Sequence, residues 1–387
     1  MKDNNIVSLN LQQRRRERQP KRLSTCAIVL GSALLFVCSM GLSAKTTLPK
    51  APSTVVPQSE PATSMPPFSR RVESGGHFFH VRSMQPQAEP ALSKANNQPV
   101  LILLSGPNQN YHADSAWFAL LQPVLAQYYQ VHAIDRLGNA WSDDNEQLSY
   151  RRFADDLALL LPKLTTQPMI IISFASSNIS SHLLVQKYQQ QLNLKAMIWI
   201  DPDVATADAV ALYQGYPVDW YQQNLAALLP KLATGVWDQR TAEKLAAERK
   251  TLESLVPAQY QHLMDWSYFT AVSQQRLSIP RQQARAREIA AYAADLQLYL
   301  QQPFITSLPI TVIDSDFETA EVTSDAALQQ KLQRWQQQSA QWNQKVAAVS
   351  GGEYLPTGRS EHMMMLQQPE LVLAAIQALT ARYTQNH

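Results

Sequence analysis

The chain has 387 residues and a formal net charge of +2. That length suits one large domain or two modest ones, and the near-neutral balance leaves no electrostatic footprint of nucleic-acid binding. Glycine is scarce, 11 residues in all, so tight turns that usually rely on it must be built largely from other residues.

The N-terminus reads as a membrane address. Residues 1–22 carry a basic cluster of Arg14, Arg15, Arg16, Arg18, Lys21 and Arg22, and residues 23–44 carry no charge at all. An apolar run of about 20 residues matches a single bilayer crossing, and the basic flank stays on the cytoplasmic side. The expectation is a signal-anchor helix with the bulk of the chain on the non-cytoplasmic, periplasmic or extracellular, side. Secretion after cleavage near Ser43 is the rival reading. Both cysteines, Cys26 and Cys38, fall inside this segment, so the exported part has no thiol for a disulfide or a thiolate metal site. Residues 45–70, with Pro49, Pro52, Pro57, Pro61, Pro66 and Pro67, read as an extended linker.

From residue 71 the pattern becomes globular. Two strand-like runs flank Gly75-Gly76, as in a hairpin. Continuous apolar runs at 99–105, 129–135, 168–173, 196–201 and 308–314 predict strands covered on both faces. Helical patterning predicts helices at 117–128, 151–164 and 179–190, with Phe153, Leu157, Leu160 and Leu161 on one stripe. A short strand-like run, Glu353-Tyr354-Leu355-Pro356, precedes a loop carrying His362, and an amphipathic helix closes the chain. Strands alternating with helices predict an α/β fold with a mostly parallel sheet. Residues 204–306 show no strand signal and read as a helical cap inserted between two core segments, 71–203 and 307–387. Tyr213, Trp220, Tyr221, Trp237, Trp266 and Tyr268 are candidates to line its cleft, although helical spacing makes most of them core.

Five segments carry a family resemblance over roughly residues 72–384. Ser105-Gly106 stands where many α/β hydrolases have His-Gly after the first parallel strand. Asp135-Arg-Leu-Gly-Asn-Ala-Trp-Ser-Asp143 is similar to the Asp-Arg-x-Gly-x-Gly-x-Ser-Asp segment of that superfamily, with Ala140 replacing a glycine. Phe153-Ala-Asp-Asp-Leu157 resembles the helix before the elbow strand, and His362 followed by Pro369-Glu370 resembles the histidine loop. The order and spacing of these parts resemble the α/β-hydrolase superfamily. That resemblance implies a nucleophile on a sharp strand-to-helix turn, a histidine base and a carboxylate that orients the histidine.

The elbow should follow residues 168–172, where the sequence reads Ser173-Phe174-Ala175-Ser176-Ser177-Asn178. In one register Ser173 and Ser177 take the two glycine places and Ala175 takes that of the nucleophile, which leaves no attacking group. In the other register Ser176 is the nucleophile, flanked by the bulky Phe174. For the acid, the resemblance points first to Glu318 and then to Asp316. The oxyanion loop is Gly106-Pro107-Asn108: Pro107 has no N–H, and Asn108 is the substitute donor if the loop shifts. No metal spacing, phosphate loop or dinucleotide fingerprint is present, so no cofactor is expected. Two functions stay open. One is hydrolysis of small esters, amides or related acyl substrates. The other is non-catalytic binding of an apolar ligand or a partner in the cap cleft.

Overall fold

A computed structural model describes residues 64–86, 98–108, 110–319, 325–358 and 361–385. The expected anchor at 23–44 lies outside the described residues. Among those described, no helix is long and apolar enough to cross a membrane.

The chain opens with a hairpin, β1 (Ser69–Ser74) and β2 (His77–Met84). Its two-residue turn is Gly75-Gly76, with φ of +62° and +80°; a turn needing positive φ at both positions favours glycine. β3 (Val100–Leu104) leads through a 3₁₀ turn (Ser115–Phe118) to α1 (Leu121–Leu125) and β4 (Val131–Asp135). The continuous helix expected over 117–128 is therefore two short pieces. Pro123 cannot donate to the carbonyl of Ala119 and would crowd it in a helix. That carbonyl instead accepts from Asp265 N at 3.0 Å.

Next come α2 (Tyr150–Leu164), capped by Ser149 Oγ accepting from Arg152 N, then β5 (Met169–Phe174), α3 (Ser177–Tyr188) and β6 (Leu194–Ile200). Between β6 and the next strand lie α4 (Ala207–Tyr213), α5 (Val218–Leu232), α6 (Asp238–Leu255), α7 (Trp266–Gln275) and α8 (Ile279–Leu300). β7 (Ile310–Asp314), α9 (Ala326–Ser350), β8 (Tyr354–Pro356), α10 (Met364–Gln367) and α11 (Pro369–Gln385) complete the fold. Glutamine dilutes the apolar stripe of α9 and masks it in the sequence, yet Leu332, Trp342 and Val346 are buried along it.

The sheet has eight strands in the order β1-β2-β4-β3-β5-β6-β7-β8, antiparallel at β1-β2 and β2-β4 and parallel elsewhere. Side chains of successive strand residues alternate between two cores, one on each face. Leu101, Leu103, Ile170, Ile172, Phe174, Ile198 and Ile200 meet α1, α10, α11 and α7 on one side. Val100, Ile102, Leu104, Ile171, Met197, Trp199 and Val312 meet α2, α3, α8 and α9 on the other. From β3 the chain steps to β4 on one side and then crosses to β5 on the other. In an open parallel sheet such a reversal leaves a crevice beyond the carboxyl ends of the two strands, where ligands bind.

Candidate active site

The loops that leave β3 and β5 meet at this crevice. Gly106 N donates to Phe174 O at 2.8 Å. A Cβ on Gly106 would lie 2.5 Å from Phe174 O, 2.6 Å from Ser176 N and 2.9 Å from Ala175 Cβ, so only glycine fits. The chain turns from β5 into α3 through Ala175, whose φ is +49°. A side chain in that region carries a steric cost, normally kept only where the surroundings fix the turn. They do so here: Ala175 N donates to Ile200 O at 3.0 Å, and Asn178 N donates to Ala175 O at 3.2 Å.

The serines around this turn are bonded into the scaffold. Ser173 Oγ donates to Ser181 Oγ at 3.0 Å. Ser177 Oγ reaches Leu104 O at 2.7 Å and Phe174 O at 2.8 Å. Ser176, fully buried with helical φ, has its hydroxyl 2.6 Å from Tyr150 OH, a residue of the α2–α3 core. The nucleophile role weighed for Ser176 therefore meets a hydroxyl already engaged on the helix side of the turn.

His362 Nδ1 lies 3.0 Å from Asp201 Oδ2. Asp201 ends β6 with φ +44° and is buried; its Oδ1 accepts from Ser315 N at 2.6 Å and its Oδ2 from Ser315 Oγ at 2.7 Å. Three donors thus converge on this carboxylate. The imidazole sits between two aromatic rings, Phe174 at 4.8 Å and Phe317 at 4.4 Å. The partner of the histidine is therefore neither of the carboxylates read from the sequence. Asp316 Oδ1 accepts from Gln336 at 3.1 Å. Glu318 is buried, with Oε2 lacking a hydrogen-bond partner, and burial pushes its carboxyl up to about 8. The sequence signal for Asp201 is its place at the carboxyl end of the apolar run 196–201, whereas the family spacing points beyond the next strand, to Glu318 and Asp316.

On the oxyanion side, Asn108 N donates to His112 O at 3.2 Å and Asn108 Nδ2 to Glu248 Oε1 at 2.7 Å. With Pro107 lacking an N–H, the loop presents no second backbone donor of the expected kind. Glu248 belongs to a buried cluster that ties the cap to this loop. Arg276 reaches Glu248 at 2.7 Å and grips Asp114 with two bonds of 2.7 and 2.8 Å, all three side chains being nearly inaccessible. The 135–143 segment forms the adjacent wall. Asp135 accepts from Ser115 N at 2.7 Å and pairs with His80 Nδ1 at 2.6 Å. Ala140, at the family's glycine place, has φ +44°. Behind the crevice, burial raises Asp203 to about 7, and Tyr292 OH donates to it.

Of the cap aromatics, Tyr268 is buried beneath Arg82 at 3.8 Å, Tyr213 packs edge-on against Trp335, and Tyr221 against Trp237. They are packing elements in these contacts. Among the described residues, no group of three or more His, Cys, Asp or Glu is arranged to hold a metal ion.

A profile of the alpha/beta hydrolase family matches residues 101–375. Among solved structures, the chain is similar to an α/β-hydrolase fold protein from Burkholderia ambifaria, with TM-score 0.54, 16% identity, and coverage of 81% of this chain and 98% of that one. It is also similar to epoxide hydrolase VrEH1 from Vigna radiata, with TM-score 0.54, 14% identity and coverage of 81% and 98%. A putative epoxide hydrolase from Pseudomonas aeruginosa gives 0.53, 15%, 82% and 97%. At these identities the likeness is one of fold. No curated protein matches the sequence.

Proposed function

We propose that this chain, which belongs to the alpha/beta hydrolase family, is a membrane-tethered member that binds a small molecule beneath its cap and carries out no acyl-enzyme chemistry. One observation carries the reading: the strand-to-helix turn where the family holds its nucleophile has Ala175 at the positive-φ position. A methyl group cannot attack a carbonyl or an epoxide carbon. The neighbouring hydroxyls of Ser173, Ser176 and Ser177 are bonded to the scaffold, and the oxyanion loop has lost a donor at Pro107.

A fluorophosphonate probe tests this directly. The full-length protein is expected to remain unlabelled. Labelling that disappears in Ser176→Ala would overturn the proposal and restore Ser176 as a nucleophile.

The Asp201–His362 pair favours a second reading. With Nδ1 held by the carboxylate, Nε2 is the basic nitrogen and could take a proton directly from bound substrate or water, with no covalent intermediate. Turnover of a small substrate that survives Ser176→Ala but is lost in His362→Ala would select it. The tether is residues 23–44, supported by their length, the absence of charge and the basic cluster before them. The bulk of the chain then lies on the non-cytoplasmic side.

A further inference from the structure

At the seam between the cap and the core, α8 presents Arg281 and Arg285, one helical turn apart, towards the loops at 111–114 and 138–140. These side chains and Arg276 line a cavity of about 20 Å³ with Tyr111, His112 and Asn139 among its walls. The charge accounting of this cavity does not close. Arg276 is fully used by Asp114 and Glu248. Arg285 has no carboxylate partner: its Nη1 lies 3.1 Å from His112 Nε2, and its Nε is buried without an acceptor. Arg281 donates through Nη2 to Ser142 O at 2.6 Å, and its Nη1 is also buried without an acceptor.

The acids whose field reaches Arg281 are engaged elsewhere. Asp135 holds Ser115 and His80, Asp143 holds Arg71 and Phe78 N, and Asp144 is 3.3 Å from Arg287. His112 cannot supply negative charge. Burial, together with the fields of Arg276, Arg285 and Lys244, holds its pKa well below the usual range and leaves a neutral ring. Asp114 also lines the space but is held by Arg276, so Arg281 and Arg285 face one small cavity with unused donors and no carboxylate paired to either, an arrangement that is costly in protein interiors.

We propose that this cavity is a binding site for one small anion of halide size. The volume holds a single group about the size of a water molecule. Larger oxyanions such as phosphate exceed it. The groups around it come from both sides of the seam: Arg281 and Arg285 from the cap and Asn139 from the core loop. A bound anion would hold α8 against the core beside the crevice. The inference does not depend on whether the crevice is catalytic.

Thermal unfolding of the full-length protein in detergent tests it, in chloride or bromide against methanesulfonate at equal ionic strength. The expected result is a rise with chloride and bromide of about 2 °C for each tenfold increase above the dissociation constant, absent with methanesulfonate. In Arg281→Gln/Arg285→Gln the halide response should vanish, while the protein in methanesulfonate unfolds no lower than the parent, because buried uncompensated charge has been removed. Should that variant fail to fold, anomalous scattering from parent crystals grown in bromide decides, with a peak expected between the two arginines. Equal unfolding temperatures in all three salts, a halide response that persists in the double variant, or no bromide peak would each overturn the proposal.

Discussion

Asp201 and His362 stand 161 positions apart in the chain, yet Asp201 Oδ2 lies 3.0 Å from His362 Nδ1. The carboxylate is held by Ser315 through both its backbone N–H and its hydroxyl, so its orientation does not depend on the histidine. This pair has the arrangement of a base and its orienter, and the imidazole packs 4.8 Å from Phe174, the residue before Ala175.

Ala175→Ser should therefore create hydrolytic activity. The introduced hydroxyl would occupy the tip of a turn whose backbone is already fixed, and His362 would be the base. The variant is expected to react with a fluorophosphonate probe and to turn over activated esters, at a rate roughly a hundredfold or more below a site with both oxyanion donors. Adding Asp201→Asn should lower that acquired turnover by about 10³–10⁴-fold, whereas adding Glu318→Gln should leave it within a few fold. Ester hydrolysis rates of the four proteins check both statements.

Ser176→Ala should behave as a scaffold change. It removes the partner of Tyr150 OH at 2.6 Å and is expected to cost about 1 kcal/mol of stability, measured by denaturant unfolding. In the Ala175→Ser background it should leave probe labelling intact.

Glu318 sets a pH dependence of stability. Burial raises its carboxyl to about 8 from an ordinary 4.5. The neutral acid is the favoured folded form, so its contribution is fully present below about pH 4.5 and is lost progressively as the pH rises to about 8. Glu318→Gln, neutral at every pH, should flatten that fall and stabilise the protein above pH 8 by a few kcal/mol. Unfolding midpoints across pH 5–9, a window of about four units, give the comparison.

Gly138 lies close against Ala284 of α8. Its φ is +82°, and a Cβ there would meet Ala284 Cβ at 2.7 Å and Leu148 Cδ1 at 2.9 Å. Gly138→Ala combines backbone strain with a clash between core loop and cap helix. It is expected to destabilise by about 1–3 kcal/mol, seen as a lower unfolding midpoint.

The proposed tether at residues 23–44 predicts that the full-length chain sediments with membranes and that a chain beginning at Lys45 is soluble. Expression of the full-length gene that yields a soluble exported product with a new N-terminus near Lys45 would instead establish cleavage.

Sequence alone determined the alternation of strands and helices, because buried parallel strands require unbroken apolar runs such as 168–173 and 196–201. Through the family resemblance it also pointed to where the strand-to-helix turn and the histidine loop lie: small residues after an apolar strand, and a histidine ahead of Pro369-Glu370. It could not choose between Ala175 and Ser176. Adjacent residues at a turn point in opposite directions, and only the backbone φ of Ala175 and the bond from Ser176 to Tyr150 separate them. The acid was beyond it for a different reason. The strand-end residues Asp201, Asp314 and the nearby Glu318 are chemically alike in sequence, and which one meets His362 depends on the lateral order of β6, β7 and β8. The pairing of the sheet decided that, by bringing the end of β6 and its Ser315 clamp against a loop 161 residues away.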